Sequence, residues 1–156
     1  SGIFRDLDEI LLPMDIAEED GRLPLKRGPK ALQEKGIPYY HLTKKGILVA
    51  LSINECKNRE NLLIEFFSKS DPIEKEFEKI LASLVKTSPI FTYSIFQKYV
   101  KAFCENKIEE LLPFDLSKLQ NISDESLIIQ KEILSAFVKL SKQEKDEALI
   151  FLDKIT

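Results

Sequence analysis

Arg22 to Gly46 reads RLPLKRGPKALQEKGIPYYHLTKKG, and the fold turns on how this stretch is parsed. It holds three of the five glycines, three of the seven prolines, the single histidine and two of the four tyrosines. Pro24, Gly28 and Pro29 exclude a regular helix over its first third, because proline removes a backbone donor and clashes with the preceding turn. Pro29 can open a short helix through Lys35, with Gly36 as its stop. Ile37 to Leu42 is rich in aromatics and predicts a strand, with Pro38 tolerated near its start. Thr43 then caps the next element. Lys44 to Cys56 carries Ile47, Leu48, Val49, Ala50, Leu51 and Ile53. A buried strand and a buried helix compete there, and the cap and the length decide for the helix.

Outward from this stretch the two flanks differ. On the N-terminal side, Ile3 to Leu12 has apolar residues at helical spacing and is closed by Pro13. Asp15 to Arg22 is acidic, ends in a glycine, and reads as a loop or a frayed turn. On the C-terminal side there is no further glycine. A helix is expected over Asn58 to Ser68, with Leu62, Leu63, Phe66 and Phe67 on one side. Asp71-Pro72 opens another, with Glu74 completing a capping box and Ile73, Phe77, Ile80, Leu81, Leu84 and Val85 forming a stripe. Ser88-Pro89 repeats the start signal for a helix to about Leu112, which Pro113 stops. Phe91, Tyr93, Phe96, Tyr99 and Phe103 lie on that helix at core spacing rather than as a ligand box.

Phe114 to Ile122 is a connector with room for one helical turn. Ser123 caps a helix whose apolar face (Leu127, Ile128, Ile129, Ile133, Leu134, Phe137, Val138, Leu140) is wide enough to predict the most buried helix of the chain. Ser141 and Glu144 form a capping box for the last helix, with Ala148, Leu149, Phe151, Leu152 and Ile155 inward. The expected fold class is all-α: a Pro/Gly-punctuated N-terminal module over residues 1–43 with at most one short strand pair, and a helical bundle or array over 44–156.

The chain has 156 residues, 44% of them hydrophobic and 31% charged, which suits one domain or a small module on a bundle. The formal net charge of -3 conceals an asymmetry. Ser1 to Gly21 carries one positive residue against seven negative, whereas Arg22 to Lys45 carries seven positive against Glu34 alone. No apolar run approaches the ~20 residues of a membrane span, and no secretory signal is visible, so a cytoplasmic protein without membrane contact is expected. Ser1-Gly2 without a methionine reads as a cleavage scar and predicts a piece of a longer chain. Cys56 and Cys104, far apart, read as reduced thiols in helices, with a disulfide as the lesser alternative.

Most reaction classes are disfavoured by composition. One histidine cannot supply the paired Glu-x-x-His motifs of a di-iron bundle, the two cysteines offer no zinc cluster, and neither common phosphate-loop pattern occurs. A Cys–His nucleophile pair with His41 is formally open, but nothing local marks it. The expectation is a protein that is not an enzyme and needs no cofactor. The candidates for function are cations and aromatics of the central stretch: Arg22, Lys26, Arg27, Lys30, Tyr39, His41, Lys44 and Lys45. Several cations in one irregular loop can meet a polyanion, with salt-dependent affinity through counterion release. The alternative is a solubilising loop that pairs with the acidic segment before it.

Ala31-Leu32-Gln33-Glu34-Lys35-Gly36, followed by Tyr39-Tyr40-His41-Leu42-Thr43-Lys44-Lys45-Gly46, resembles the end of winged helix-turn-helix domains in prokaryotic transcription regulators. In that family a helix ending in Leu-x-x-x-Gly leads to a wing whose last strand reads Tyr-x-Leu-Thr-x-x-Gly. Tyr40, Leu42, Thr43 and Gly46 match. The chain departs from the family in having one helix before this point where a full domain has two or three, and little room for a wing between Gly36 and Tyr39. The resemblance implies DNA binding with Lys26, Arg27 and Lys30 near the backbone, and later helices for dimerisation or effector response. The expected partners are DNA and a second copy of the chain. A helical protein-interaction domain of a larger assembly is the alternative.

Overall fold

In the computed structural model, which describes residues 2–122 and 124–156, Thr43 is the joint between a strand pair and the helices. The fold is mostly helical with one two-stranded antiparallel sheet among the described residues. The chain divides into two compact units, Ser1–Gln120 and Asn121–Thr156. Thr43, where the sequence placed the end of an N-terminal module, lies inside the first.

The first unit begins with α1 (Gly2–Asp6), which runs on into a π-helical turn over Leu7–Leu11. Then comes β1 (Ala17–Leu23). The acidic segment expected as a loop is therefore a strand, and pairing explains the difference. AEEDGRL has little strand propensity of its own, but β2 (Ile37–Leu42) supplies an antiparallel partner in the register Ala17↔Leu42, Glu18↔His41, Glu19↔Tyr40, Gly21↔Tyr39, Arg22↔Pro38 and Leu23↔Ile37. Asp20 is an extra residue that bulges between Glu19 and Gly21. Between the strands lie the Pro24–Pro29 loop and α2 (Lys30–Lys35), which ends at Gly36 with φ 73.

Thr43 stitches this pair to α3 (Lys44–Leu51). Its hydroxyl accepts from the Gly46 amide at 2.9 Å and donates to the Asp15 carbonyl at 2.5 Å, while its own amide donates to the Ile16 carbonyl at 3.0 Å. The apolar run is helical, as its cap and length predict, but α3 stops at Leu51 rather than Cys56. The amide of Ser52 turns back onto Val49 and Ala50, and its hydroxyl donates to the Val49 carbonyl at 2.6 Å.

The remaining helices of this unit are α4 (Arg59–Ser68), α5 (Pro72–Thr87) and α6 (Pro89–Cys104), followed by a 3-10 turn over Leu116–Leu119. Asp71 and Glu74 form the expected capping box of α5. The expected run of α6 to Leu112 is cut at Cys104, because Asn106 adopts a left-handed φ of 57 and the Lys107 amide closes on the Ala102 carbonyl at 2.8 Å. Ile108 and Leu111 are still buried, reached through the turn instead of along a helix.

That turn delivers Phe114, which follows a cis Leu112–Pro113 peptide, to the centre of the core. Its inaccessible ring meets Tyr99 at 4.9 Å, stacks on Phe96 at 5.4 Å and meets Phe66 at 5.6 Å. Tyr93, Phe96 and Tyr99 are core residues, as their spacing predicts.

The second unit holds α7 (Glu125–Lys139) and α8 (Lys142–Ile155). Ser123, expected as the cap of α7, lies outside the described residues; Asp124 occupies the N-cap position, and its carboxylate accepts from the Leu127 amide at 3.1 Å. The Ser141–Glu144 capping box of α8 is present. The expectation that α7 is the most buried helix is reversed: neither α7 nor α8 has a single buried residue. Val138 is 75% exposed, Ile128 60% and Phe151 60%, and Leu149, Leu152 and Ile155, expected inward, are exposed as well. A wide apolar face signals that burial is needed, not that the same chain provides it. No described helix is long and apolar enough to cross a membrane.

Candidate nucleic-acid interface

The candidate residues separate into two groups by what holds them. Arg22 lies in β1, where its Nε donates to Glu19 at 2.9 Å and its Nη1 reaches the Lys35 carbonyl at 3.4 Å, joining the strand to the end of α2. His41, opposite Glu18 in the ladder, places Nε2 2.8 Å from the Glu18 carboxylate and Nδ1 3.5 Å from that of Asp20. Tyr39 lays its ring over Gly21, where a Cβ would come within 3.0 Å of the phenolic oxygen. The acidic segment is thus paired, but with Arg22 and His41 of the strands.

Lys44 and Lys45 belong to α3 and turn to the helical body. The Lys44 ammonium donates to the fully buried Glu74 carboxylate and, at 2.9 Å, to the Lys69 carbonyl; it also lies 5.2 Å from the centre of the Phe66 ring. Lys45 lies over Phe103 at 5.6 Å.

Lys26, Arg27 and Lys30 are the opposite case. All three are exposed, and among the described residues none has an ion-pair partner. Two of them stand in the β1–α2 loop, and Lys30 is the first residue of α2. The loop's shape is held locally: Gly28 has φ 124, and the Gln33 side-chain amide donates back to its carbonyl at 2.5 Å. This arrangement presents three cations at the open end of a strand pair, with the carboxylates of β1 engaged elsewhere.

The sequence reading missed what Glu74 does. Besides Lys44 it accepts from the Asp71 amide at 2.9 Å and from the Phe114 amide at 3.0 Å, tying together the starts of α3 and α5 and the segment that places Phe114. A signal existed, since Glu74, Phe77 and Leu81 fall at i, i+3 and i+7 on the buried stripe of α5. Among the described residues, no group of three or more His, Cys, Asp or Glu side chains could hold a metal ion. Comparison of the chain with protein-family models, curated proteins and solved structures finds no match.

Proposed function

We propose that this chain is a non-enzymatic regulatory protein that contacts DNA through the loop carrying Lys26, Arg27 and Lys30, and uses its C-terminal helices for self-association. The observation behind the first half is that these three cations are exposed and unpaired while the neighbouring carboxylates Glu18, Glu19 and Asp20 sit beside His41 and Arg22. A solubilising loop neutralised by the preceding acidic segment would pair differently. The resemblance to a winged helix-turn-helix wing gains support from an antiparallel pair whose last strand ends in a Thr-capped helix. On this reading Arg22, Lys44 and Lys45 shape the scaffold, and contact with phosphates falls to the loop.

The test is a titration of duplex DNA at several salt concentrations with the parent chain and with Lys26→Glu/Arg27→Glu/Lys30→Glu. Each phosphate contact contributes about 0.9 to the slope of log affinity against log salt, so loss of three contacts should flatten it by roughly 3. No binding by the parent at low salt, or binding unchanged by the reversal, refutes the proposal. A second reading, a helical protein-interaction domain of a larger assembly, is favoured by the uncovered apolar side chains of α7 and α8. In that case the loop reversal leaves DNA out of account and disrupts a protein contact.

A further inference from the structure

A cavity of about 330 Å³ opens where the start of α4 faces α6, lined by Cys56, Asn58, Arg59, Glu60, Asn61 and Tyr93. Two side chains of its wall carry a buried donor without an acceptor, and the N-cap of the helix beside them makes no side-chain capping bond. Tyr93 is only 5% exposed and its hydroxyl has no partner. The Arg59 guanidinium carbon lies over the Tyr93 ring, 3.9 Å from the centroid, and its buried Nη1 has no partner either. Asn58, at the N-cap of α4, adopts a left-handed conformation (φ 59) and its side chain makes no capping bond to the first-turn amides.

An unsatisfied buried donor costs free energy comparable to a lost hydrogen bond, and two in adjacent side chains are uncommon in a folded protein. All the groups involved can donate: a phenol, a guanidinium and helix N-terminal amides. Burial also pushes the Tyr93 hydroxyl above the usual tyrosine range, which keeps it protonated. The group that satisfies such a set is an acceptor with several oxygens, and a helix N-terminus with an arginine beside it favours negative charge. Glu60 is the one carboxylate on the wall, and it opposes an anion.

We infer that the Arg59–Tyr93 cavity at the N-terminus of α4 is a binding site for a small oxyanion, a carboxylate or a phosphate. The volume falls at the lower end of the range for ligand sites, enough for an anionic headgroup on a small body. Arg59 and Tyr93 lie outside the basic loop, so this site and the DNA reading stand or fall separately.

The test follows the resonances of the Arg59 side chain and the α4 first-turn amides during titration with inorganic phosphate and, separately, acetate. Chloride at matched ionic strength is the control. Saturable shifts with phosphate or acetate but not with chloride are expected, and the stronger of the two identifies the ligand class. Tyr93→Phe keeps the ring under Arg59 and removes the donor; it should weaken binding about tenfold. Glu60→Gln, a surface change, should tighten it. Absence of saturable binding at millimolar anion overturns the proposal, as does binding untouched by both substitutions. If Tyr93→Phe does not fold, the direction of the Glu60→Gln effect decides alone.

Discussion

At Gly46 the requirement is space rather than an unusual backbone angle. A Cβ there would run into the carbonyl oxygen of Ile16, the same oxygen that accepts the Thr43 amide. The Thr-x-x-Gly pattern thus has a physical content: threonine caps α3, and three residues on, the absence of a side chain lets β1's approach segment lie against that cap. Gly46→Ala should therefore destabilise the fold by about 1–3 kcal/mol through forced backbone displacement. Chemical denaturation measures this, and an unchanged midpoint would show that the strand pair is not held against α3. Glu74 is a second such residue. Glu74→Ala removes the acceptor of the Phe114 amide and of the first turn of α5 together with the counter-charge of Lys44, so a loss of about 3–5 kcal/mol is expected. Lys44→Met should cost less, since Glu74 keeps its two backbone donors. Equal losses from the two substitutions would mean that the ion pair, not the backbone bracing, carries the effect. The Thr43 cap was readable because a cap is a local code. The role of Glu74 is not local: the same residue satisfies a capping box and a long-range bracket, and only the box has a sequence pattern.

Elements were legible where their ends carry strong punctuation. Asp71-Pro72, Ser88-Pro89 and Ser141 with Glu144 all mark true starts, and Pro29 to Gly36 brackets a true short helix. The failures lie where an end has no glycine or proline to mark it. Asn106 stops α6 by taking the left-handed conformation and Ser52 stops α3 by folding onto Val49, neither of which periodicity registers. β1 failed for a different reason, since its strand character comes from its partner. The capping box of α8 gives an element-scale prediction. The Ser141 amide donates to the Glu144 carboxylate at 2.8 Å and its hydroxyl adds to this, which together hold the carboxyl below the usual glutamate range. A depressed folded-state value means the stabilisation is present above the unfolded value, about 4.3, and is lost as pH falls through the folded one. The protection of the Ser141 and Glu144 amides, measured relative to the intrinsic exchange rate at each pH, should therefore fall selectively as the solution is acidified through the carboxylate range. Glu144→Gln should remove that pH dependence, and a loss of protection that persists in the variant would assign it to another group.

At the scale of the whole molecule, the two units pose opposite problems. Ser1–Gln120 encloses an aromatic core around Phe114, whereas Asn121–Thr156 consists of two helices with no buried residue. Helices of 15 and 14 residues are marginal in water on propensity alone and draw most of their stability from packing an apolar face. Here Ile128, Ile129, Ile133, Leu134 and Val138 of α7, with Leu149, Phe151 and Ile155 of α8, leave that face in water. The charges on this unit are mixed in sign, five lysines against seven carboxylates, so a second copy meets little net repulsion. Self-association through these helices, as proposed above, would cover them, and it predicts a concentration-dependent increase in sedimentation coefficient together with a gain in helicity. Leu134→Glu with Val138→Glu places two carboxylates one turn apart on the same side of α7 and should shift the parent towards monomer by at least tenfold in dissociation constant, a charge in an apolar contact being costly to desolvate. The substitutions leave Ser1–Gln120 untouched, so its near-ultraviolet signal from Tyr93 and Tyr99 should persist. A parent chain that stays monomeric at every concentration would sink self-association and leave a different protein as the occupant of that face.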